Sequence, residues 1–161
     1  AALQYLYGAN RNPTNAEALA KRQTTTFTDG WAGLESLWTP QGASLDMSAM
    51  TKNNIVDLRE GAFSSIGNTK NSVSLAYGSK IASVTGGSGN DDIYAAESGT
   101  MTLNGGAGAD KLYLAGTSKE WTLNGTTYTR KVGGKVVATI AATGFETVTY
   151  YNPSKTALMR A

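Results

Sequence analysis

The pattern of apolar and polar positions changes period once along the chain. In Ala1–Tyr7, Leu3, Leu6 and Tyr7 fall on one helical face and Gly8 follows where a left-handed cap would end the turn, which predicts a short amphipathic helix. Thr14 and Glu17 form an S/T-x-x-E capping box ahead of Ala18, Leu19 and Ala20, with Pro13 closing the preceding turn, so a second short helix is expected over Thr14–Arg22. Because the first helix starts so abruptly, Ala1 reads as an internal point of a longer protein. From Thr24 onward the helical period gives way to short β-prone runs punctuated by Gly, Asn, Asp and Ser. These runs are Thr24–Thr28, Leu34–Trp38, Ile55–Leu58, Ser72–Ala76, Ile81–Val84, Ile93–Ala95 and Met101–Leu103, then Lys111–Leu114, Trp121–Leu123, Thr126–Val132, Val136–Ile140 and Phe145–Tyr151.

Strands at intervals of about 8 to 12 residues indicate a sandwich, a barrel or a solenoid. Gly133-Gly134 between two such runs is a two-residue hairpin signal, and an antiparallel meander is expected for the C-terminal third. The predicted organisation is a helical segment over 1–23, one β-roll/β-sandwich domain over 24–151 and a C-terminal tail over 152–161. The fold class is therefore all-β, a short parallel roll running into an antiparallel sandwich.

Composition narrows the chemistry. The 161 residues include 19 glycines, 14 basic and 12 acidic side chains, and neither histidine nor cysteine. Zinc fingers, histidine acid/base catalysis, serine–histidine triads and thiol nucleophiles cannot be built from this chain alone, whereas metals that take oxygen ligands remain open. A net charge of +2 with no long basic run argues against nucleic acid as a partner. No stretch reaches the roughly 18 apolar residues of a membrane-spanning helix, and no basic-then-apolar signal peptide opens the sequence.

Two segments share a nonapeptide G-G-x-G-x-D-x-U-x, in which U is apolar: Gly86-Gly87-Ser88-Gly89-Asn90-Asp91-Asp92-Ile93-Tyr94 and Gly105-Gly106-Ala107-Gly108-Ala109-Asp110-Lys111-Leu112-Tyr113. Glycines let a tight loop reach positive φ and turn its carbonyls inward, the sixth residue adds a carboxylate, and the eighth points into the core. This nonapeptide resembles the calcium-binding repeat of RTX proteins. One turn of such a roll takes two nonapeptides, about 18 residues. The two matches stand 19 apart, with Ala95–Asn104 as a degenerate opposite unit that places Thr100 near the expected Asp.

Loops 86–91 and 105–110 are thus expected to stack and enclose one Ca²⁺ ion. Its candidate ligands are carbonyls of Gly86, Gly87, Ser88, Gly89, Gly105, Gly106, Ala107 and Gly108, and the carboxylates of Asp91 and Asp110. Asp92 is read as solvated, since Lys111 holds the equivalent place. A single site suits the near-neutral charge, because a long calcium roll would be strongly acidic.

The likeness extends beyond the repeats. Ala1–Asn10, Asp57–Gly67, Ser72–Gly78 and Ile81–Asp91 follow in order the closing catalytic-domain helix, and the segments leading into the roll, of serralysin-type secreted metalloproteases, the peptidase M10 group of metzincins. The chain resembles the C-terminal part of that family. The resemblance implies a calcium β-roll, bacterial type I secretion, an extracellular location and a parent zinc protease whose catalytic domain is a partner. The family's H-E-x-x-H motif is missing here, so this chain itself is expected to be non-catalytic. Around Trp38–Asp46 the family carries W-D-A-G-G-x-D, and here Thr39 and Ala43 replace its acidic positions, so that calcium loop is expected to be lost.

Function is therefore expected to be that of a non-catalytic, calcium-binding RTX module aiding folding and secretion. The alternative is an extracellular adhesion or surface-layer module, with Trp31, Trp38, Trp121 and the tyrosines offering a face to a glycan or cell-surface partner. A polysaccharide-cleaving enzyme would need paired carboxylates, and Glu35, Asp57, Glu60, Glu97, Glu120 and Glu146 are scattered. Gly144-Phe145-Glu146 reads as a structural edge, and an uncapped roll end offers a route to self-association.

Overall fold

The computed structural model describes residues 23–154. Both expected helices, and all of the tail past Ser154, lie outside these residues. Two seven-stranded sheets enclose one core. The first runs β1 (Gln23–Thr28), β3 (Ala43–Ala49), β7 (Ile81–Thr85), β9 (Gly99–Asn104), β13 (Lys135–Thr143), β12 (Thr127–Val132) and β11 (Trp121–Asn124). The second runs β14 (Thr147–Tyr151), β10 (Lys111–Ala115), β8 (Asp92–Tyr94), β4 (Ile55–Asp57), β5 (Phe63–Ile66), β6 (Thr69–Leu75) and β2 (Glu35–Leu37). A single 3₁₀ turn, Ser118–Glu120, precedes β11.

The core of the design is a parallel roll. Five times the chain leaves a strand of the first sheet, turns, and enters one of the second: β1 to β2, β3 to β4, β7 to β8, β9 to β10, and β13 to β14. In-register pairing turns the inward positions into ladders. Leu45, Val84, Leu103 and Ala142 line up on one sheet, and Val56, Ile93, Leu112 and Val148 on the other. All but the half-buried Val148 are buried, and Val56, Ile93, Leu103 and Leu112 are wholly so. Ile93 and Leu112 occupy the apolar eighth position of the nonapeptides, so the sequence period sets the stacking directly.

Two antiparallel insertions interrupt the roll. β5 and β6 form a hairpin that extends the second sheet beyond β4, and β11 and β12 extend the first beyond β13. Gly133 and Gly134 make the expected turn between β12 and β13, both at positive φ (57° and 79°), as a two-residue turn matched to strand twist requires. The expected C-terminal meander is corrected in one respect. Its last strand, β14, crosses to the opposite sheet and pairs parallel with β10, because Val148 continues the inward ladder there. β3 and β5 also escaped the sequence reading. Ala43, Leu45 and Met47 alternate inward along β3, a half-buried strand where the sequence suggests only a lost calcium loop.

Candidate metal centre

Of the turns that carry the chain from the first sheet to the second, those after β3, β7, β9 and β13 stack on one side of the roll. Pairing of β4, β8, β10 and β14 brings Asn54, Asp91, Asp110 and Glu146 to equivalent places at the ends of these turns. They form a ladder in which the side chains of Asp91, Asp110 and Glu146 each accept a bond from the backbone of the turn before. Asp91 Oδ1 accepts from Asn54 N at 2.9 Å, Asp110 Oδ1 from Asp91 N at 2.7 Å, and Glu146 Oε2 from Asp110 N at 2.6 Å. One position earlier, the bonds run the other way: Asn53 Oδ1 accepts from Asn90 N and Asn90 Oδ1 from Ala109 N. The reciprocal capping satisfies donors that strand pairing leaves open at the turns.

The glycines of the two nonapeptides are required by closeness of approach. A Cβ on Gly86 would run into Gly105 O and lie 2.8 Å from Asp91 Oδ2; one on Gly105 would run into Gly144 O and lie 2.8 Å from Asp110 Oδ2. Gly106 is pressed likewise against Gly87 O, and Gly108 against Gly89 O. Loops 86–91 and 105–110 are therefore adjacent along their length, and their carbonyl oxygens face the neighbouring turn. Of the eight candidate carbonyls, that of Gly87 also accepts a bond from Ala107 N, 2.9 Å away. Ser88 packs toward the preceding turn, donating its N–H to Met50 O at 2.9 Å.

Asp91 and Asp110 are fully buried. Burial pushes the Asp91 carboxyl above its ordinary value against the bonds from Asn54 and Gly87, and the negative charge of Asp92 adds to the rise. Burial also raises Asp110, opposed by the bond from Asp91 N and reinforced by the charges of Asp91, Glu146 and Asp92. The ion pairs among the described residues, Arg59–Asp57 and Arg130–Glu120, involve neither of them. Asp110 Oδ2 is buried without any hydrogen-bond partner. Such acceptor-rich surroundings fit a hard cation, which takes oxygen ligands and offsets the charge. No three acidic side chains gather among the described residues, so a cation held here would draw most of its ligands from carbonyls.

Other expected site residues separate from this face. Asp92 and Lys111 are neighbours on the outer side of the second sheet. Thr100 lies exposed in β9, opposite Thr139. The Trp38–Asp46 segment is knit by hydroxyls: Thr39 Oγ1 donates to Lys80 O at 2.9 Å, Ser79 Oγ accepts from Thr39 N at 3.1 Å and donates to Leu37 O at 3.1 Å. Trp121 is buried with Nε1 donating to Ala115 O, and Trp31 packs edge-on against Phe27. Sequence reasoning missed Asn54 and Glu146. The signal was a polar-x-apolar triplet without its glycines, Asn54-x-Val56 and Glu146-x-Val148, which repeats Asp91-x-Ile93 and Asp110-x-Leu112.

Comparison with known proteins gives the family. The family model described as "Peptidase M10 serralysin C terminal" matches residues 7–152. The chain belongs to the serralysin C-terminal family. Serralysin C of Dickeya chrysanthemi is 36% identical over 99 residues, covering 56% of this chain and 21% of the relative. Metallopeptidase AprA of Pseudomonas marginalis is 35% identical over 99 residues, with the same two coverages of 56% and 21%. Serralysin of Proteus mirabilis is 30% identical over 105 residues, covering 60% and 21%. The chain thus spans about a fifth of the length of the curated relatives it matches. Among the described residues no helix is long and apolar enough to cross a membrane.

Proposed function

We propose that this serralysin C-terminal domain is a calcium-stabilised, non-catalytic module of a secreted serralysin-like protease, whose roll is ordered when Ca²⁺ enters between loops 86–91 and 105–110. The observation that carries this reading is the pair of fully buried carboxylates, Asp91 and Asp110, on successive turns. Asp91 Oδ2 and Gly105 O both lie against Gly86, which supports a shared oxygen-lined gap. Asp91 and Asp110, with carbonyls of the two glycine loops, would hold the ion. The bound cation supplies positive charge that two buried acids and their carbonyl neighbours lack.

The roll converts that local charge balance into folding. Each loop is fixed by its neighbours, so an ion gripped between two turns favours stacked strands over the open chain. Extracellular calcium modules bind at about 10⁻⁴–10⁻³ M. At roughly ten times the dissociation constant, one ion stabilises the folded state by about 1.4 kcal/mol. Calcium therefore reinforces a core that already exists. In a compartment poor in Ca²⁺ the loops lose that support and the chain is easier to export unfolded; outside the cell it is regained.

The test is a thermal melt with and without millimolar Ca²⁺ on the wild type and on the Asp91→Ala/Asp110→Ala double variant. The wild-type midpoint is expected to rise by about 3–6 °C, the shift that such an increment produces in a domain of this size, and the variant's midpoint to stay put. Equal midpoints for the wild type in both conditions would refute the reading.

A further inference from the structure

On the outer side of the second sheet, the register of the roll sets polar groups in rows. Ser65, Ile55, Asp92 and Lys111 stand side by side on β5, β4, β8 and β10. Two residues ahead of the last three, Asn53, Asn90 and Ala109 form a second row. Its members are linked by bonds from Asn90 N to Asn53 Oδ1 at 2.8 Å and from Ala109 N to Asn90 Oδ1 at 2.9 Å. The β5–β6 turn is tied to these rows by Gly67 N, which donates to Asn54 Oδ1 at 2.8 Å. Turn and rows enclose a cleft of about 570 Å³, whose wall also carries Lys70.

A cleft of this size suits a small ligand or a short length of polymer. Its lining has the chemistry of hydroxyl recognition. With Oδ1 fixed on the neighbouring turn, the Nδ2 hydrogens are what each amide offers a ligand, so Asn53 and Asn90 present donors one strand apart, about 4.8 Å. Asp92, in the adjoining row, only accepts. A hydroxyl group donates and accepts at once and can use both, whereas sulfate only accepts and is repelled by the carboxylate. Ile55 and Ala109 leave apolar ground between the polar groups, against which the C–H face of a sugar ring can lie. Lys70 and Lys111 set two ammonium groups against one carboxylate, and the ion pairs among the described residues involve none of the three, so the cleft is net positive.

We propose that this cleft binds an acidic saccharide, a short chain of uronate residues laid across β4, β8 and β10. The sugar hydroxyls take the Nδ2 hydrogens of Asn53 and Asn90 and donate to Asp92, and the uronate carboxylates face Lys70 and Lys111. The repeat of a pyranose chain is close to the strand spacing, so successive rings meet successive rungs. The site uses neither Asp91 nor Asp110 and stands whether or not an ion is held between them.

Amide NMR of the full chain titrated with tetragalacturonate tests it, with neutral galactotetraose and sodium sulfate as controls. The titration is run in EDTA, so that no metal bridges sugar to protein, and again in millimolar Ca²⁺. Saturable shifts confined to residues 53–55, 67–70, 90–92 and 109–111 are expected with the uronate chain in both conditions, weaker ones with the neutral chain and none with sulfate. Lys111→Gln is expected to weaken the uronate chain by about tenfold, the loss of one charge-assisted contact, and to leave the neutral chain unchanged. Asn90→Asp keeps an oxygen for Ala109 N but replaces the donor with an acceptor, and it is expected to weaken both chains while the melting midpoint holds. Should that variant unfold, Asn53→Asp asks the same question one rung away. No saturable binding of the uronate chain overturns the proposal, as does binding unchanged in these variants. Equal shifts with sulfate would reduce the cleft to a patch of lysines, and binding only with Ca²⁺ would mean a metal bridge; either result also overturns it.

Discussion

Glycine at 105 and glycine at 30 look alike in a sequence, and the fold gives them opposite weights. A methyl group at 105 would enter the space held by Gly144 O and Asp110 Oδ2, whereas nothing lies within 4 Å of one at 30. Gly105→Ala is expected to destabilise the chain by about 1–3 kcal/mol through forced separation of the turns. Gly30→Ala is expected to stay within about 0.5 kcal/mol of wild type. Urea denaturation in EDTA checks both, and equal midpoints for the two variants would contradict the stacked-loop geometry. Asn54 carries a similar asymmetry. Replacing it with Ala removes an amide donor from buried Asp91 and an acceptor from Gly67 N, a loss of about 1–3 kcal/mol by the same measurement. Neither residue is singled out by type; each matters because of the atom the next turn presents to it.

At the scale of elements, the parallel ladders hold the roll together and the triplet spacing selects their register. A slip of one residue would turn Val56, Ile93, Leu112 and Val148 outward together. Leu112 sits in the middle of that column, and Leu112→Ala is expected to cost about 2–5 kcal/mol because parallel strands on both sides prevent collapse around the cavity. An equilibrium unfolding curve with a loss below 1 kcal/mol would show the column to be loosely packed. The polar-x-apolar triplet recurs at all four turns. It was legible at 91 and 110, where the glycines announce the turn, and illegible at 54 and 146. There the spacing of 37 and 36 residues to the neighbouring rung hides a hairpin spliced into the roll.

Across the whole molecule, the two insertions decide where the roll stops and how its outer side is covered. The turn after β4 carries Arg59, whose guanidinium reaches Asp57 at 2.6 Å with both side chains buried and whose cation lies 5.2 Å from the Tyr151 ring. Tyr151 also donates its hydroxyl to Ala95 O at 2.7 Å, so the turn after β4, the neighbouring turn after β8 and the last strand are clamped together. Removing one member of a buried ion pair strands the other. Arg59→Ala is therefore expected to lower stability by about 3–5 kcal/mol, and Arg59→Met with Asp57→Asn by clearly less. Chemical denaturation of the two variants compares them, and equal losses would mean that the ion pair's own attraction, absent from both variants, holds the clamp and that neither the stranded Asp57 charge nor the lost packing adds to the cost.

The sequence by itself determined the all-β class, most of the strands, the Gly133-Gly134 hairpin and the pair of glycine loops. Those features are local, since they follow from a two-residue alternation, a fixed nine-residue spacing and the few residues that tolerate positive φ. Tertiary structure decided that Asn54 and Glu146 belong to the same ladder as Asp91 and Asp110, that β14 leaves the meander for the opposite sheet, and that Asp110 keeps an unpartnered oxygen. Each of these depends on which turn is stacked on which. Contacts across 36 or 37 residues arise only when the inserted hairpins fold out of the way and the inward ladders close.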